Sequence, residues 1–418
     1  MQYSKDQFVK SMSIPPVDRK LIAGHLLKIV LADKDTASRC SEELSTGGYW
    51  PRTLQLAKMW RVVPQLKNRI DTLCLPMDPH TSIQLREAHI ESSAHSMMAL
   101  HICRLMFREF NNKQLRAVAF KGVGVISSLY QGPTDRSMND IDILVRREDF
   151  DQAYRTLRTL DFAPIVDRLV QYVDFLEGNE LLLTNDDGFE VDLHIGYDGS
   201  DESAILSAER IIAHAQTADI WGASVHVPSL LDSMMITVQH SLHHNFDPTE
   251  SVRDMCDLRR WWCVYSKTGD IEEVVSQVGK FRLLEPWLAL WMILSKLDSS
   301  GGVASLTEQL KVNASVAEQE NAQRLRGLFE YRLGSTEVSC LLLRIMAEPL
   351  AIGRYLASRA KKGPMNIHAL PNRQRRQTVG ELILNEVSLC AREVFGLNAR
   401  RLGFYRALVS AHMKHQQR

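Results

Sequence analysis

The sequence predicts an α+β fold, in which a small mixed β-sheet lies between an N-terminal and a C-terminal helical region. Helical periodicity dominates from Pro15 to about Asn112 and returns beyond Pro228, whereas short apolar runs rich in β-branched residues occupy the stretch between them. We therefore predict three parts, namely an N-terminal helical region (1–113), an α/β core (114–228) and a C-terminal helical region (229–418).

The N-terminal region should contain one unusually long helix. Apolar residues recur at helical spacing from Ser82 to Phe110, which predicts a single helix over this stretch. Pro15 and Pro16 suit the start of an earlier helix, because proline is tolerated in the first turn. The residues that predict the long helix are Ile90, Ala94, Met97, Met98, Leu105 and Met106.

Five short runs in the core have the character of β-strands, with a helical stretch from Arg147 to Leu160. The predicted strands are "AVAF", "IDILV", "NELLLTN", "GFEVDLHIG" and "SVHVP".

In the C-terminal region we expect Trp261 and Trp262 to be core residues rather than a platform for stacking bases. Trp287 and Trp291 should add bulk to the same core.

Composition places the chain among ordinary globular proteins. Of its 418 residues 45% are hydrophobic and 24% charged, and the formal net charge is zero, so the chain as a whole has no electrostatic attraction to nucleic acid or membrane. The N-terminus lacks the pattern of a secretory signal, and no apolar run is long enough to span a bilayer. The seven cysteines include no close CxxC pair, which indicates free thiols, and we expect a cytoplasmic protein.

Two acids inside an apolar strand predict a metal site. Side chains alternate between the two faces of a strand, so Asp140 and Asp142 share one face while Ile141 and Ile143 point to the other. Two carboxylates this close repel each other unless a cation lies between them. The simpler alternative is that this face of the strand is solvated.

A third carboxylate lies in the strand "GFEVDLHIGY". Glu190, Asp192 and His194 share a face there, in the same acid-among-aliphatics pattern. Binding of Mg²⁺ requires several oxygen ligands, and a cluster of three acids on adjacent strands would provide them. Asp192 is therefore the predicted third ligand.

The order of these motifs resembles the nucleotidyltransferases of the DNA polymerase β superfamily. A strand, then "KG", a helix that ends in Tyr130, then Arg136, "NDIDILV", another helix and "VDLH" follow one another in that order. More narrowly, the chain resembles a bacterial family known mostly as uncharacterised nucleotidyltransferases, over most of residues 50–265. Most of the superfamily has Gly-Ser or Gly-Gly after the first strand, whereas this chain and the narrower family have Lys-Gly.

The resemblance implies roles for individual residues. Asp140 and Asp142 would each hold metal, and Asp192 would complete the site and help to deprotonate the attacking hydroxyl. The implied activity is a Mg²⁺-dependent transfer of a nucleoside monophosphate from an NTP to an acceptor, with release of pyrophosphate. Two alternatives remain open, namely a catalytically silent nucleotide-fold module that binds a partner, and a toxin-like enzyme that modifies tRNA.

The same resemblance implies how the NTP would be bound. Gly122, between the first strand and its helix, would let backbone N–H groups approach a phosphate. Lys121 and Arg136 would neutralise the triphosphate. For both cations the alternative is an ion pair with a neighbouring acid.

Two further patterns remain without a firm role. His240, His243 and His244 have helical spacing that could converge on zinc, but no fourth ligand is evident; alternatively His243 or His244, with Arg253 and Asp254, would orient the substrate. From Arg354 to the end, Lys and Arg outnumber the three glutamates, which predicts either a surface for RNA phosphates or solvated helix faces.

Overall fold

The computed structural model describes most of the chain up to residue 333, and all of these residues fall in one unit that spans residues 1–335. The basic region that begins at Arg354 lies outside the described residues, as does Cys340. The described ranges are 16–164, 180–196, 206–244, 246–267, 269–280, 283–298 and 301–333.

Five helices precede the sheet. Asp33 and Asp78 cap two of them by accepting hydrogen bonds from the backbone N–H groups of Thr36 and Thr81. The predicted long helix is confirmed and has 34 residues, although five of the six apolar residues that predicted it are exposed and only Met106 is buried. The helices are α1 (Pro16–Leu31), α2 (Lys34–Thr46), α3 (Trp50–Met59), α4 (Val63–Leu73) and α5 (Pro79–Asn112).

A five-stranded mixed sheet forms the centre of the α/β core, which confirms the predicted fold class. The strand order is β1-β2-β5-β4-β3, and only the β2–β5 pair is parallel. Helices α6 (Lys121–Leu129) and α7 (Phe150–Arg158) follow β1 and β2. The strands are β1 (Val118–Phe120), β2 (Asp140–Leu144), β3 (Ala163–Pro164), β4 (Glu180–Thr184) and β5 (Glu190–His194).

A separate hairpin follows the short helix α8 (Ala208–Ala213). Strands β6 (Gln216–Ile220) and β7 (Ala223–Val227) are joined by Trp221 and Gly222, whose φ angles of 48° and 78° are those of a type I′ turn. Strand β7 was predicted from the sequence, whereas β6 and the two-residue β3 were not.

Six helices complete the described part of the chain. Trp261 and Trp262 are buried, as predicted, and Trp262 meets Trp291 edge-on at a ring distance of 5.6 Å. None of the described helices is long and apolar enough to cross a membrane. The helices are α9 (Leu230–His243), α10 (Pro248–Tyr265), α11 (Ile271–Lys280), α12 (Leu284–Leu297), α13 (Gly301–Asn313) and α14 (Val316–Arg332).

Helices from both ends of the sequence share one hydrophobic core. Helix α1 packs against α10 and α12, so apolar side chains such as Leu26 and Trp287 belong to the same cluster. A second cluster lies between α5 and one face of the sheet and includes Ile141, Ile143 and Val191. The predicted division at residues 113 and 228 stays a prediction.

Candidate active site

The two acidic strands lie side by side in the sheet. The parallel pairing of β2 with β5 places Asp140 opposite Glu190 and Asp142 opposite Asp192. Because β-strand side chains alternate, these four residues point away from the face that packs on α5, and His194 continues their row. The sequence predicted this shared face, and the register adds that Asp142 and Asp192 are direct neighbours.

Asp142 is a buried carboxylate with two basic partners. The Lys121 ammonium lies 2.7 Å from its Oδ1, and Nε2 of His194 lies 3.2 Å from the same oxygen. Burial by itself would raise the pKa of Asp142, but the Lys121 charge and the His194 hydrogen bond hold it well below its usual range. Asp142 is therefore charged at neutral pH.

Asp192 has the opposite environment. Burial, followed by the nearby charges of Asp142 and Asp140, raises the pKa of Asp192 well above its ordinary value. The described cations therefore do not balance the negative charge of the carboxylates in this cluster. A deficit of positive charge of this kind is what a divalent cation would relieve.

The donor atoms have a spacing that fits such a cation. Oxygens of Asp142 and Asp192 and a ring nitrogen of His194 all lie within 4.8 Å of one another. Among the described residues this is the one group of three or more His, Cys or acidic side chains with such spacing. Asp140 lies two residues from Asp142 on the same face but outside this group of donor atoms, so it could bind a second ion or a water-bridged one.

The sequence places His194 on the acidic face, but no role was predicted for it. The structure places its ring between Asp142 and Glu180, whose Oε2 is 3.4 Å from Nδ1, and against the edge of Phe120 at 4.9 Å. A buried ring held on three sides fixes the position of the Asp142 carboxylate that it contacts. The period of two in "VDLH" was the signal that could have identified it.

Lys121 joins β1 to α6 with a left-handed backbone. Its φ of 45° is unusual for a residue with a side chain and costs about 1 kcal/mol. Helix α6 begins at Lys121, and no side chain caps its first N–H groups. Lys121 thus brings its ammonium, together with a helix N-terminus, to the acidic strands.

Gly122 is required by packing rather than by its own φ angle. A Cβ at this position would lie 2.9 Å from Cγ of Met138, in the segment that leads into β2. The left-handed residue is its neighbour Lys121. The expectation that Gly122 lets a phosphate approach the backbone N–H groups stays a prediction. The close packing against Met138 is a separate reason why a glycine suits this position.

In the structure Arg136 forms an ion pair with an acid, which was the alternative to the expected contact with the triphosphate. Its guanidinium is buried and pairs with Asp257 of α10, with Nη2 2.8 Å from Oδ2. Tyr130 donates a hydrogen bond of 2.6 Å to the other oxygen of the same carboxylate. Arg136 therefore holds the segment before β2 against α10, and its charge is satisfied inside the protein rather than directed at a triphosphate.

Helix α5 fixes the segment before β2 from the other side. Nε2 of His89 donates to the carbonyl oxygen of Thr134 at 3.0 Å, and Oγ of Ser96 donates to the carbonyl oxygen of Arg136 at 3.1 Å. The His95 ring stacks on Phe189, just before β5, at 5.0 Å. The acidic strands therefore enter the site from segments anchored to one rigid helix.

The histidines of α9 do not converge on a metal-binding group among the described residues. Nδ1 of His240 lies 2.8 Å from Asp254, which also accepts a hydrogen bond from Ser241. The rings of His240 and His244 are 4.5 Å apart, and the His243 side chain lies outside the described residues. The role of this group in substrate orientation stays a prediction.

Comparison with known proteins identifies the class. The sequence profile of a family described as uncharacterised nucleotidyltransferases matches residues 47–297, which is more than half of the chain. The chain belongs to this family of nucleotidyltransferases, as its motif order predicted.

Individual proteins add little to this assignment. One similar solved structure is the solution structure of the antibiotic-resistance factor ANT(2'')-Ia, at 14% sequence identity and a TM-score of 0.31. The match covers 44% of this chain and 90% of that one, and at such low similarity it has no bearing on the reaction. No curated protein matches the chain.

Proposed function

We propose that this protein transfers a nucleoside monophosphate from an NTP to an acceptor hydroxyl, with release of pyrophosphate, and that Mg²⁺ is required. The observation that carries the proposal is the in-register pairing of Asp142 with Asp192, with Asp140 on the same face. Three neighbouring carboxylates on a sheet, in a chain of this family, fit the oxygen-rich ligand set that Mg²⁺ prefers.

The acids would hold the metal and receive a proton. Asp140 and Asp142 would bind Mg²⁺ together with Asp192, and the bound ion would supply positive charge that offsets the charge on the phosphate oxygens in the transition state. A carboxylate oxygen of Asp192 would accept the proton of the attacking hydroxyl. His194 would act as a positioning residue, because it contacts Asp142 from the buried side.

The NTP would lie against Lys121 and the start of α6. Lys121, which contacts Asp142 in the structure, would contact a phosphate oxygen of the bound NTP instead, and a bound Mg²⁺ would supply the charge that balances Asp142. The N-terminus of α6 would favour an anion such as a phosphate group. We give Arg136 a positioning role through Asp257, in place of direct contact with the triphosphate.

A labelling experiment tests the reaction class. The full chain is incubated with Mg²⁺ and each NTP, labelled at the α or at the γ phosphate, with and without cell extract. Transfer requires that the α label moves to an acceptor while the γ label leaves as pyrophosphate, and that EDTA abolishes both. Asp142→Asn serves as the inactive reference.

The other outcomes reject the proposal. Transfer of the γ label would indicate a kinase, and no transfer of either label would favour the silent binding module.

Ribonuclease treatment of the α-labelled product identifies the class of acceptor. If ribonuclease destroys the labelled product, the acceptor is RNA, and reversal of Arg373, Arg375 and Arg376 to Glu should then reduce acceptor affinity and its dependence on salt. A ribonuclease-resistant product would point to a small molecule or a protein.

A further inference from the structure

The long helix α5 presents an apolar stripe that no described element covers. Its buried side faces the sheet core and the segment before β2, while several large apolar side chains lie on the opposite side. These are Ile83 at 54% exposure, Ile90 at 61%, Met97 at 45%, Met98 at 48% and Leu105 at 39%. Exposed apolar residues are ordinary when scattered, but an aligned set on one helix indicates an interaction surface.

The stripe repeats every eleven residues. Ile83, Ala94 and Leu105 are separated by eleven positions each, and Ile90 and His101 form a second row of the same period beside them. Eleven residues make slightly more than three whole turns of an α-helix, so these two rows stay on one side along the helix. A repeat of this kind is typical of helices that pair with another helix, with a slight right-handed twist.

The two edges of the stripe carry opposite charges. At 100° per residue, Arg86, Met97 and Arg108 form one edge, which we call the basic edge. The opposite edge, which we call the acidic edge, is formed by Glu87, Met98 and Glu109. Among the described residues none of these four charged side chains has an ion-pair partner.

This charge pattern complements itself in one orientation. A two-fold axis parallel to the helix brings the basic edge of one copy against the acidic edge of the other, so that Arg86 meets the Glu87 of a second copy and Met97 meets its Met98. The same axis places Arg108 beside the second copy's Glu109. Every contact occurs twice, because the interface is made of the same surface on both chains.

The antiparallel arrangement lacks this complementarity. A two-fold axis perpendicular to the helix brings each edge against the same edge of the other copy, so Arg86 would meet Arg108 and Glu87 would meet Glu109. Like charges in direct contact across an interface are strongly unfavourable. The edges of α5 therefore favour a parallel pair over an antiparallel one.

From these observations we infer that the protein forms a homodimer through the exposed face of α5, with the two α5 helices parallel. The inference is independent of the proposed reaction. The opposite face of each α5 still anchors the segment before β2, so the acidic strands of both copies stay on the far side of their helices from the interface.

The oligomeric state of the full chain tests the inference. Sedimentation equilibrium should show a dimer that dissociates on dilution, and Ile90→Glu should raise the dimer dissociation constant by about tenfold or more, since it places two charges at the centre of the contact. Val316→Asp, at an exposed apolar residue of α14, is the matched control and should leave the dimer unchanged. A wild-type monomer at every concentration, or an unaffected Ile90→Glu dimer, would overturn the inference.

Charge variants test the orientation. Glu87→Arg should weaken a parallel dimer, and the double variant Arg86→Glu with Glu87→Arg should restore it, because the two edges are then exchanged at that level. Arg108→Glu separates the two arrangements, since it weakens a parallel dimer but would strengthen an antiparallel one by facing Arg86. All of these positions are on the helix surface, and unchanged circular dichroism and melting curves will confirm that the variants fold.

A cross-link provides a second, direct measure. In a parallel pair the two copies of residue 94 face each other near the axis, so Ala94→Cys should form a disulfide-linked dimer on mild oxidation. This variant is made in a chain whose Cys74, Cys263, Cys340 and Cys390 are serine. If Ala94→Cys alone gives no cross-linked dimer, but the double variant with Ala94→Cys and His101→Cys does, the parallel arrangement is rejected.

Discussion

Arg136 and Asp257 form a buried ion pair that joins the segment before β2 to helix α10. Nε of Arg136 lies 3.1 and 2.9 Å from the two carboxylate oxygens, and Nη2 lies 2.8 Å from Oδ2. Burial opposes the charged form, but Asp257 more than compensates and raises the pKa of Arg136. The Arg136 guanidinium therefore stays charged, and its ion pair with Asp257 holds the segment that leads into β2 against α10.

We expect Asp257→Asn to lower the free energy of unfolding by about 3–5 kcal/mol, because it leaves the Arg136 charge buried without a counter-charge. Tyr130→Phe removes only one hydrogen bond to the same carboxylate and should cost about 1–2 kcal/mol. Urea denaturation of both variants measures the difference. A loss below about 1 kcal/mol in Asp257→Asn would mean that the pair does not hold the segment in place.

The sequence was sufficient to predict the acidic face, because strand periodicity is local. Asp140, Asp142 and Asp192 could be placed on one side of their strands from alternation alone, and that placement matches the strand register. The partner of Arg136 could not be found this way. An arginine that precedes a strand has the same pattern whether it faces a phosphate or an acid 121 residues away.

The two faces of α5 illustrate a second limit. Apolar residues occur on both sides of this helix, so periodicity predicted the helix but did not tell which side is buried. The side of α5 that packs against β2 and against the segment before it is the buried side, and the local sequence of α5 does not predict these two contacts. Strand β6 was missed for a similar reason, since "QTADI" has one buried residue and becomes a strand through its pairing with β7.

The acids of the site should differ in how they affect stability. Asp142→Asn should destabilise the metal-free protein by about 1–3 kcal/mol, because Lys121 and His194 lose their charged partner. Asp192→Asn should leave stability unchanged or raise it, because it removes a half-buried carboxyl group that lies beside two other acids. Both variants should lose nucleotidyl transfer.

Urea denaturation in EDTA gives the stability of each acid variant, and transfer of the α label gives its activity. If Asp192→Asn proves as destabilising as Asp142→Asn, then Asp192 has a stabilising partner and the charge deficit at the site is absent. Retention of transfer in either variant would remove that residue from the metal site.

Lys121 combines a strained backbone with an ammonium group that we propose contacts the NTP, and two substitutions separate the two properties. Lys121→Met keeps the strain and loses the ammonium, whereas Lys121→Gly loses both. We expect the glycine variant to be more stable than the methionine variant by about 1 kcal/mol, because glycine adopts a φ of 45° freely. NTP affinity should fall to a similar extent in both.

Calorimetric titration with a non-hydrolysable NTP and Mg²⁺ measures that affinity. Gln114→Gly, at another left-handed position outside the site with a φ of 56°, is the control and should leave NTP binding unchanged. If Lys121→Met binds the NTP with wild-type affinity, the Lys121 ammonium does not contact the NTP and its only partner at the site is Asp142.

Asp254 of α10 should make stability depend on pH in the acid range. Burial would raise the pKa of Asp254, but His240, Arg253 and a hydrogen bond from Ser241 lower it to about 2. A carboxyl group whose pKa is lower in the folded state stabilises the fold above its unfolded pKa of about 3.9, and this stabilisation is lost as the pH falls toward 2. The full contribution is about 2–3 kcal/mol, since one pKa unit corresponds to about 1.4 kcal/mol.

Denaturation of wild type and Asp254→Asn between pH 7 and pH 3 measures this contribution. The difference in unfolding free energy should be constant above about pH 5 and fall as the pH decreases, with about half of the carboxylate contribution lost by pH 3 because the unfolded chain is then mostly protonated. Asp187→Asn, in an exposed turn, is the matched control, and its curve should follow that of wild type. If the difference in unfolding free energy between wild type and Asp254→Asn stays constant down to pH 3, the charge on Asp254 does not stabilise the fold. Any stabilisation by Asp254 would then come from hydrogen bonds that do not depend on that charge.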